Sequence, residues 1–126
     1  KEHLQPVFST IMRINYWKGA WQVIKEAPFT GIGLGNFNLA YSRYAHNSYL
    51  QIWAEMGLLG LVSVIWIWVG ILRGAISKFK NQDERNTRIC LAVSLCAFIA
   101  DNLLDFTFFL PETSFIFWLL AALSMA

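Results

Sequence analysis

Charged residues are scarce in this sequence. Asp, Glu, Lys and Arg make up 14% of its 126 residues, whereas 56% are apolar. Soluble domains typically contain about 25% charged and about 45–50% apolar residues, so this composition favours a membrane protein. The net charge is only +2, and no basic cluster is interleaved with aromatic residues. We therefore expect no nucleic-acid partner.

Cysteine is also scarce. Cys90 and Cys96 lie six residues apart in a predicted helix, which separates their Cα atoms by about 9 Å and rules out a disulfide between them. No CxxC pair or nearby histidine accompanies them, so we expect no metal site and treat both as packing residues. The sequence begins with Lys1 and shows no signal peptide, so we expect it to be part of a longer chain.

Long apolar segments occupy the second half of the sequence. Segments 57–77 and 89–110 reach the roughly 20 residues needed to cross a bilayer, and segment 114–126 stops at the end of the sequence. Residues 1–56 are mixed and rich in aromatics. We predict an all-α, polytopic helical membrane protein with two full transmembrane helices, a truncated third and a helical outer loop. A small soluble helical protein is the alternative, but two such helices would leave little polar surface.

The polar segment between the first two apolar segments predicts their orientation. From Arg73 to Arg88 the sequence carries five basic residues against two acidic ones. Such an excess of Lys and Arg in a short loop marks the cytoplasmic side. Residues 1–56 and the turn at Pro111 and Glu112 would then lie outside. The basic residues are Arg73, Lys78, Lys80, Arg85 and Arg88.

An amphipathic helix is predicted at about residues 10–27, capped by Ser9 or Thr10 and ended by Pro28. Arg13 shares one helix face with two tryptophans, because the three residues recur every four positions. An interfacial helix would use the tryptophans at the level of the lipid headgroups. Alternatively, Arg13 binds an anion.

The segment "PFTGIGLGNF" follows this helix and suggests a phosphate loop. The fingerprint GxGxxG would require a glycine where Asn36 stands, and a strand before it. A helix is predicted there instead. The glycines are better explained by a turn that needs positive φ angles, which argues against a nucleotide site.

His46 precedes a predicted helix. Ser48 and Gln51 have the spacing of a capping box, so a helix would start there and continue into the first apolar segment. His46 and Asn47 would lie at its N-terminus, where unpaired N–H groups and the helix dipole favour a phosphate. An unprotonated imidazole there could act as a base. The alternative is a surface histidine that helps to cap the helix.

Asp101 and Asp105 are four residues apart in the predicted helix 89–110, and so on one side of it. Acidic groups within a membrane span are costly and usually face a bundle interior or a wet cavity. They could pair with polar groups of neighbouring helices. They could also line a polar path.

The stretch "HNSYLQIWAEMGLLG" has the form H-[NSQ], nine residues, then G-x-x-G, with His46 at its start and Gly57 and Gly60 at its end. Upstream stand the arginine and tryptophan helix and the segment "PFTGIGLGNF". Together, over residues 13–60, these features resemble the O-antigen ligase and O-antigen polymerase family of bacterial envelope enzymes.

The resemblance implies transfer of a glycan from undecaprenyl pyrophosphate to a hydroxyl of lipid A core, a growing glycan or a protein. It implies a bacterial inner-membrane enzyme with a periplasmic or extracellular active face and no cofactor. His46 matches the catalytic motif histidine, and Arg13 fits an arginine that binds the pyrophosphate. Asn47 and Arg43 are further candidates for substrate binding. The isolated chain is expected to be inactive.

A non-enzymatic interpretation stays open beside this one. The chain could be a membrane anchor or part of a transporter, with a polar path at Asp101 and Asp105. In that case replacing His46 would have no effect, whereas Asp105→Asn would matter.

Overall fold

A computed structural model of the protein describes residues 5–40, 42–77 and 79–125. Lys1, Lys78 and Ala126, which entered the sequence-based predictions, lie outside these ranges. The described residues form four α-helices and a short 3-10 helix, and contain no strand beyond a single bridge between Leu39 and Ser42. The prediction of an all-α fold is confirmed. The helices are α1 (Gln5–Glu26), α2 (Ser48–Ala75), α3 (Gln82–Asp101) and α4 (Pro111–Met125), with the 3-10 helix at Thr107–Phe109.

Helix α2 is the longest element, with 28 residues and therefore a length of about 42 Å. Within the described ranges it is the one helix that is long and apolar enough to cross a membrane. Much of its apolar surface is exposed, including Leu59 and Trp66, which is 77% exposed. Exposed apolar surface on this scale marks contact with lipid or with other helices.

Helix α2 kinks at Gly57, whose φ of 71° and ψ of −175° are not helical. The kink interrupts the regular bond from Leu58 N–H to the carbonyl of Ala54. Leu58 N–H donates instead to the carbonyl of Pro28 at 2.9 Å, and the carbonyl of Ala54 accepts from Ile32 N–H at 2.9 Å. The segment after α1 therefore supplies the hydrogen bonds that the kinked helix has lost.

Glycines allow this close approach of two backbones. Gly31 has a φ of 69°, and a Cβ atom there would collide with the carbonyl of Glu55. A Cβ atom on Gly57 would collide with the carbonyl of Phe29. Gly33 N–H also donates to the carbonyl of Glu55 at 2.9 Å. The predicted turn with positive φ angles is confirmed, and it holds the kink of α2.

Helix α3 ends at Asp101, so the predicted helix over 89–110 was wrong in its second half. Asn102 ends the helix because its side chain donates to the carbonyl of Phe98 at 2.8 Å and accepts from Phe108 N–H at 2.8 Å. These bonds fold the chain into a turn. Asp101 and Asp105 therefore do not share a helix face, contrary to the prediction.

The other helix starts also differ from those predicted. Helix α1 begins at Gln5, so Ser9 and Thr10 lie inside it and do not cap it. Helix α4 begins at Pro111 rather than at residue 114, because proline is favoured in the first helical turn, where its missing N–H needs no partner. The division between an outer region at 1–56 and membrane helices from 57 stays a prediction.

Helix α2 contributes to both hydrophobic clusters. Its first turns pack with α1 and the connecting loop, and its later turns pack with α3 and α4. The first cluster has Ala20, Ile24, Phe37, Ala45 and Ala54 as its buried members. The second has Trp68, Ile71, Leu95, Phe117 and Ala121.

We expect Gly57→Ala to destabilise the full-length protein strongly. The left-handed backbone alone costs about 1–3 kcal/mol for a residue other than glycine, and the collision with the carbonyl of Phe29 adds to this. Gly70→Ala is the matched control, because Gly70 lies in the same helix and a Cβ atom there meets nothing within 4 Å. That change should be neutral or stabilise by up to about 1 kcal/mol. Thermal unfolding in detergent measures both, and equal melting temperatures would contradict the role of the kink.

Candidate functional site

His46 has an unusual backbone. Its φ is +50°, and among the described residues it is the one non-glycine with a positive φ. Such a conformation is uncommon outside glycine and is held by the surroundings. Here the indole Nε1 of Trp17, on α1, donates to the carbonyl of His46 at 3.3 Å. Helix α1 therefore fixes the histidine just ahead of α2.

Aromatic rings enclose the imidazole. Tyr16 stacks on it with ring centroids 4.8 Å apart, and Phe106 presents its ring nearly perpendicular at 4.8 Å. The His46 side chain keeps 29% of its surface exposed. The ring is thus held between α1 and the turn after α3, with part of it open to a ligand.

Asp105 lies between Arg13 and His46, two of the residues predicted for the site. Its Oδ1 lies 3.6 Å from His46 Nδ1, and its Oδ2 lies 3.8 Å from Arg13 Nη2. The Arg13 and Asp105 side chains are each 38% exposed. Both distances are longer than a hydrogen bond, so the three groups are close but not locked together.

The start of α2 is anchored to the end of α3, and this places Asp105. Ser48 N–H donates to the carbonyl oxygens of Asn102, at 3.0 Å, and Asp105, at 3.1 Å. Ser48 Oγ donates to Asn102 Oδ1 at 2.5 Å. Ser48 and Asn102 are fully buried. These bonds bring the backbone of Asp105 against the residue that starts α2, two positions after His46.

The predicted capping box at Ser48 and Gln51 was wrong. The N-cap of α2 is Asn47, whose Oδ1 accepts from Leu50 N–H at 3.0 Å. The serine hydroxyl is taken by Asn102, and the amide oxygen of Gln51 accepts from Ala45 N–H at 2.8 Å. The cap therefore lies one residue earlier than predicted.

Both the oxygen and the nitrogen of the Asn47 side-chain amide form hydrogen bonds within the protein. Besides capping α2, its Nδ2 donates to the carbonyl of Leu103 at 2.7 Å. Its binding of substrate stays a prediction. Because Ser48 and Leu50 N–H groups are bonded within the protein, the helix end would act on an anion mainly through its dipole.

Arg43, the fourth predicted site residue, lines a different cavity beside the histidine. Glu55 lines it too. In the part of the chain that the structure describes, Arg43 forms no ion pair with the group around Asp105. Its role in substrate binding also stays a prediction.

Comparison with known proteins gives a family. The model of the O-antigen ligase family matches residues 5–65, which include α1, the glycine-rich loop and the kink of α2. An O-antigen ligase of Salmonella typhimurium strain LT2 is 29% identical over 115 residues, covering 75% of this chain. Both matches support membership in the O-antigen ligase family. The chain spans 28% of the length of that relative, and no solved structure matches it.

The O-antigen ligase family match contains Arg13 and His46 but stops before Asp105. The sequence singled out Asp105 as an acidic residue but did not connect it with His46. No short-range signal could do so, because the contact depends on how α3 ends. Glu55 was not among the residues predicted for the site. Groups of three or more His, Cys, Asp or Glu side chains able to hold a metal are absent from the described residues.

The anchor between α2 and α3 can be tested with a pair of serine variants. Ser48→Ala removes a buried hydroxyl, and we expect a loss of about 1–3 kcal/mol. Ser63→Ala, in the same helix, removes an exposed hydroxyl that donates to the carbonyl of Leu59, and should change stability by no more than about 0.5 kcal/mol. Thermal unfolding of the full-length protein compares them. A Ser48→Ala variant as stable as Ser63→Ala would contradict the anchoring role.

Proposed function

We propose that the full-length protein transfers a glycan from undecaprenyl pyrophosphate to a hydroxyl of an acceptor, either lipid A core or another glycan. The observation that carries the proposal is the group formed by Arg13, Asp105 and His46 in a chain that matches the O-antigen ligase family. It combines a base with a cation suited to pyrophosphate. These are the two functions that this transfer requires.

His46 would act as the base. Asp105 lies on the Nδ1 side of the ring, so Nε2 is the nitrogen directed to the acceptor. The acceptor oxygen forms a bond to the anomeric carbon while its proton passes to Nε2. The bond from that carbon to the pyrophosphate oxygen breaks, and undecaprenyl pyrophosphate leaves. Asp105 stabilises the positive charge that the imidazole acquires.

Arg13 would bind the leaving pyrophosphate. A guanidinium binds phosphate oxygens in pairs through its planar array of N–H donors. At 3.8 Å its ion pair with Asp105 is loose, so its N–H donors can turn to a phosphate. The positive end of the α2 dipole points towards the same region and adds to the attraction.

The location proposed for this chemistry is the outer face of the bacterial inner membrane. His46 lies at one end of α2 and the basic segment with Arg73 and Arg85 at the other, about 42 Å apart along a helix able to cross a bilayer. If the basic segment is cytoplasmic, the histidine would lie on the periplasmic or extracellular side. The lipid tail of the carrier would lie against exposed apolar surface of α2.

A transporter with a polar path at Asp101 and Asp105 has less support. Asp101 accepts a hydrogen bond from Thr107 Oγ1 at 3.0 Å, whereas Asp105 faces Arg13 and His46. The two carboxylates serve different parts of the turn after α3 and do not form one path.

We expect His46→Ala to lower glycan transfer by the full-length protein by about 10²–10⁴-fold, the usual contribution of a general base. Asp105→Asn should reduce kcat roughly tenfold or more with a smaller change in KM, because the base is then poorly oriented. Transfer is measured from a lipid-linked glycan to its acceptor in membranes that contain each variant. Arg85→Ala, an exposed change near the start of α3, is the control.

Membrane insertion and melting temperature must match those of the unchanged protein for the comparison to hold. Full transfer by a stable His46→Ala variant would remove the histidine from the mechanism. Loss of transfer in Asp105→Asn alone, with full transfer by His46→Ala, would show that Asp105 acts without the histidine.

A further inference from the structure

A cavity lies close to His46, lined by Tyr44 two residues before it. The cavity has a volume of 370 Å³ and lies between the glycine-rich loop, the segment before His46 and the start of α2. This volume is at the lower end of the range of small-molecule sites, roughly 300–1,000 Å³. Its lining includes Gly35, Arg43, Tyr44, Gln51, Glu55 and Phe109.

Glu55 gives the cavity a preorganised hydrogen-bond acceptor. Its side chain is buried, with 4% of the residue exposed. Gln51 Nε2 donates to its Oε1 at 2.9 Å, and Gly35 N–H donates to its Oε2 at 3.1 Å. A carboxylate can accept about four hydrogen bonds, so these two donors leave acceptor capacity at a fixed position in the wall. Hydroxyl groups are suitable donors for it.

Arg43 supplies the complementary donors. Its side chain is exposed, and its guanidinium has no hydrogen-bond or ion-pair partner among residues 5–40, 42–77 and 79–125. The carbonyl of Arg43 accepts from Gln51 Nε2 at 3.4 Å, and the same amide bonds Glu55. Gln51 thus ties the arginine segment to the buried carboxylate.

Tyr44 supplies a flat apolar wall. Its ring stacks on Phe106 with centroids 4.5 Å apart and planes 8° apart, and 41% of the residue is exposed. Phe106 covers one face of the ring. The other face suits the C–H face of a sugar ring, because an aromatic ring presents a rigid apolar surface. A carboxylate, a guanidinium and an aromatic face together match the alternating polar and apolar groups of a pyranose.

We propose that this cavity binds one sugar unit of the glycan next to the reacting bond. The inference rests on the proposed function and adds a substrate contact to it. The ring of Phe106 contacts both Tyr44 and His46. One aromatic ring therefore separates the cavity from the proposed base. A sugar in the cavity would hold its attached neighbour at the histidine.

Binding of free oligosaccharides tests the proposal. Two probes are added to the purified full-length protein: the repeat-unit oligosaccharide released from the lipid carrier, and the core oligosaccharide released from lipid A. Both lack the pyrophosphate and the lipid. We expect at least one to bind, with affinity reduced about tenfold or more in Arg43→Ala and in Tyr44→Ala. Tyr44→Phe keeps the ring and should bind nearly as the unchanged protein does.

Arg85→Ala is the matched control for the loss of a positive charge. Arg43 and Tyr44 are exposed, so their variants should keep the melting temperature. Binding of the repeat unit would assign the cavity to the donor, and binding of the core to the acceptor. The proposal is overturned if neither probe binds, or if both alanine variants bind as tightly as Arg85→Ala. A transfer-competent His46→Ala variant with weakened binding in Arg43→Ala would refute the proposed base but leave the sugar site standing.

Discussion

The buried hydrogen bonds between Ser48 and Asn102 connect the first turn of α2 to the end of α3. Neither residue is exposed, and a buried polar group without its partner is costly, so the two helix ends are held in one arrangement. That arrangement brings Asp105 beside His46. Helix α1 then completes the group by adding Arg13 and by binding the carbonyl of His46 through Trp17.

The kink at Gly57 connects α2 to the glycine-rich loop, as Ser48 and Asn102 connect it to α3. Because the kink releases backbone carbonyls, the glycine-rich loop can bond to the helix through Ile32 and Gly33. The same loop places Gly35 N–H on the carboxylate of Glu55. The glycines of the loop and Gly57 of α2 thus belong to one contact between two backbones. This contact shapes the cavity next to His46. Site and cavity share α2 as their scaffold.

Sequence reasoning succeeded where the signal was local or periodic. Apolar runs predicted an all-α chain, and the glycines predicted a turn with positive φ. It failed at Asn102, because a side chain that replaces backbone partners ends α3 where hydropathy alone would continue it. The cap at Asn47 was missed because Ser48 has a partner distant in sequence. The motif drew attention to His46 and Arg13, but the placement of Asp105 and Glu55 depends on tertiary contacts that no spacing encodes.

The most direct test of the proposed transfer uses the purified full-length protein in liposomes with a labelled lipid-linked glycan, its acceptor and no nucleotide. The products are followed by mass spectrometry. We expect the glycosylated acceptor and undecaprenyl pyrophosphate to appear in equal amounts. Failure to form either product, with the lipid-linked glycan left intact by a folded and inserted protein, would contradict the proposed function.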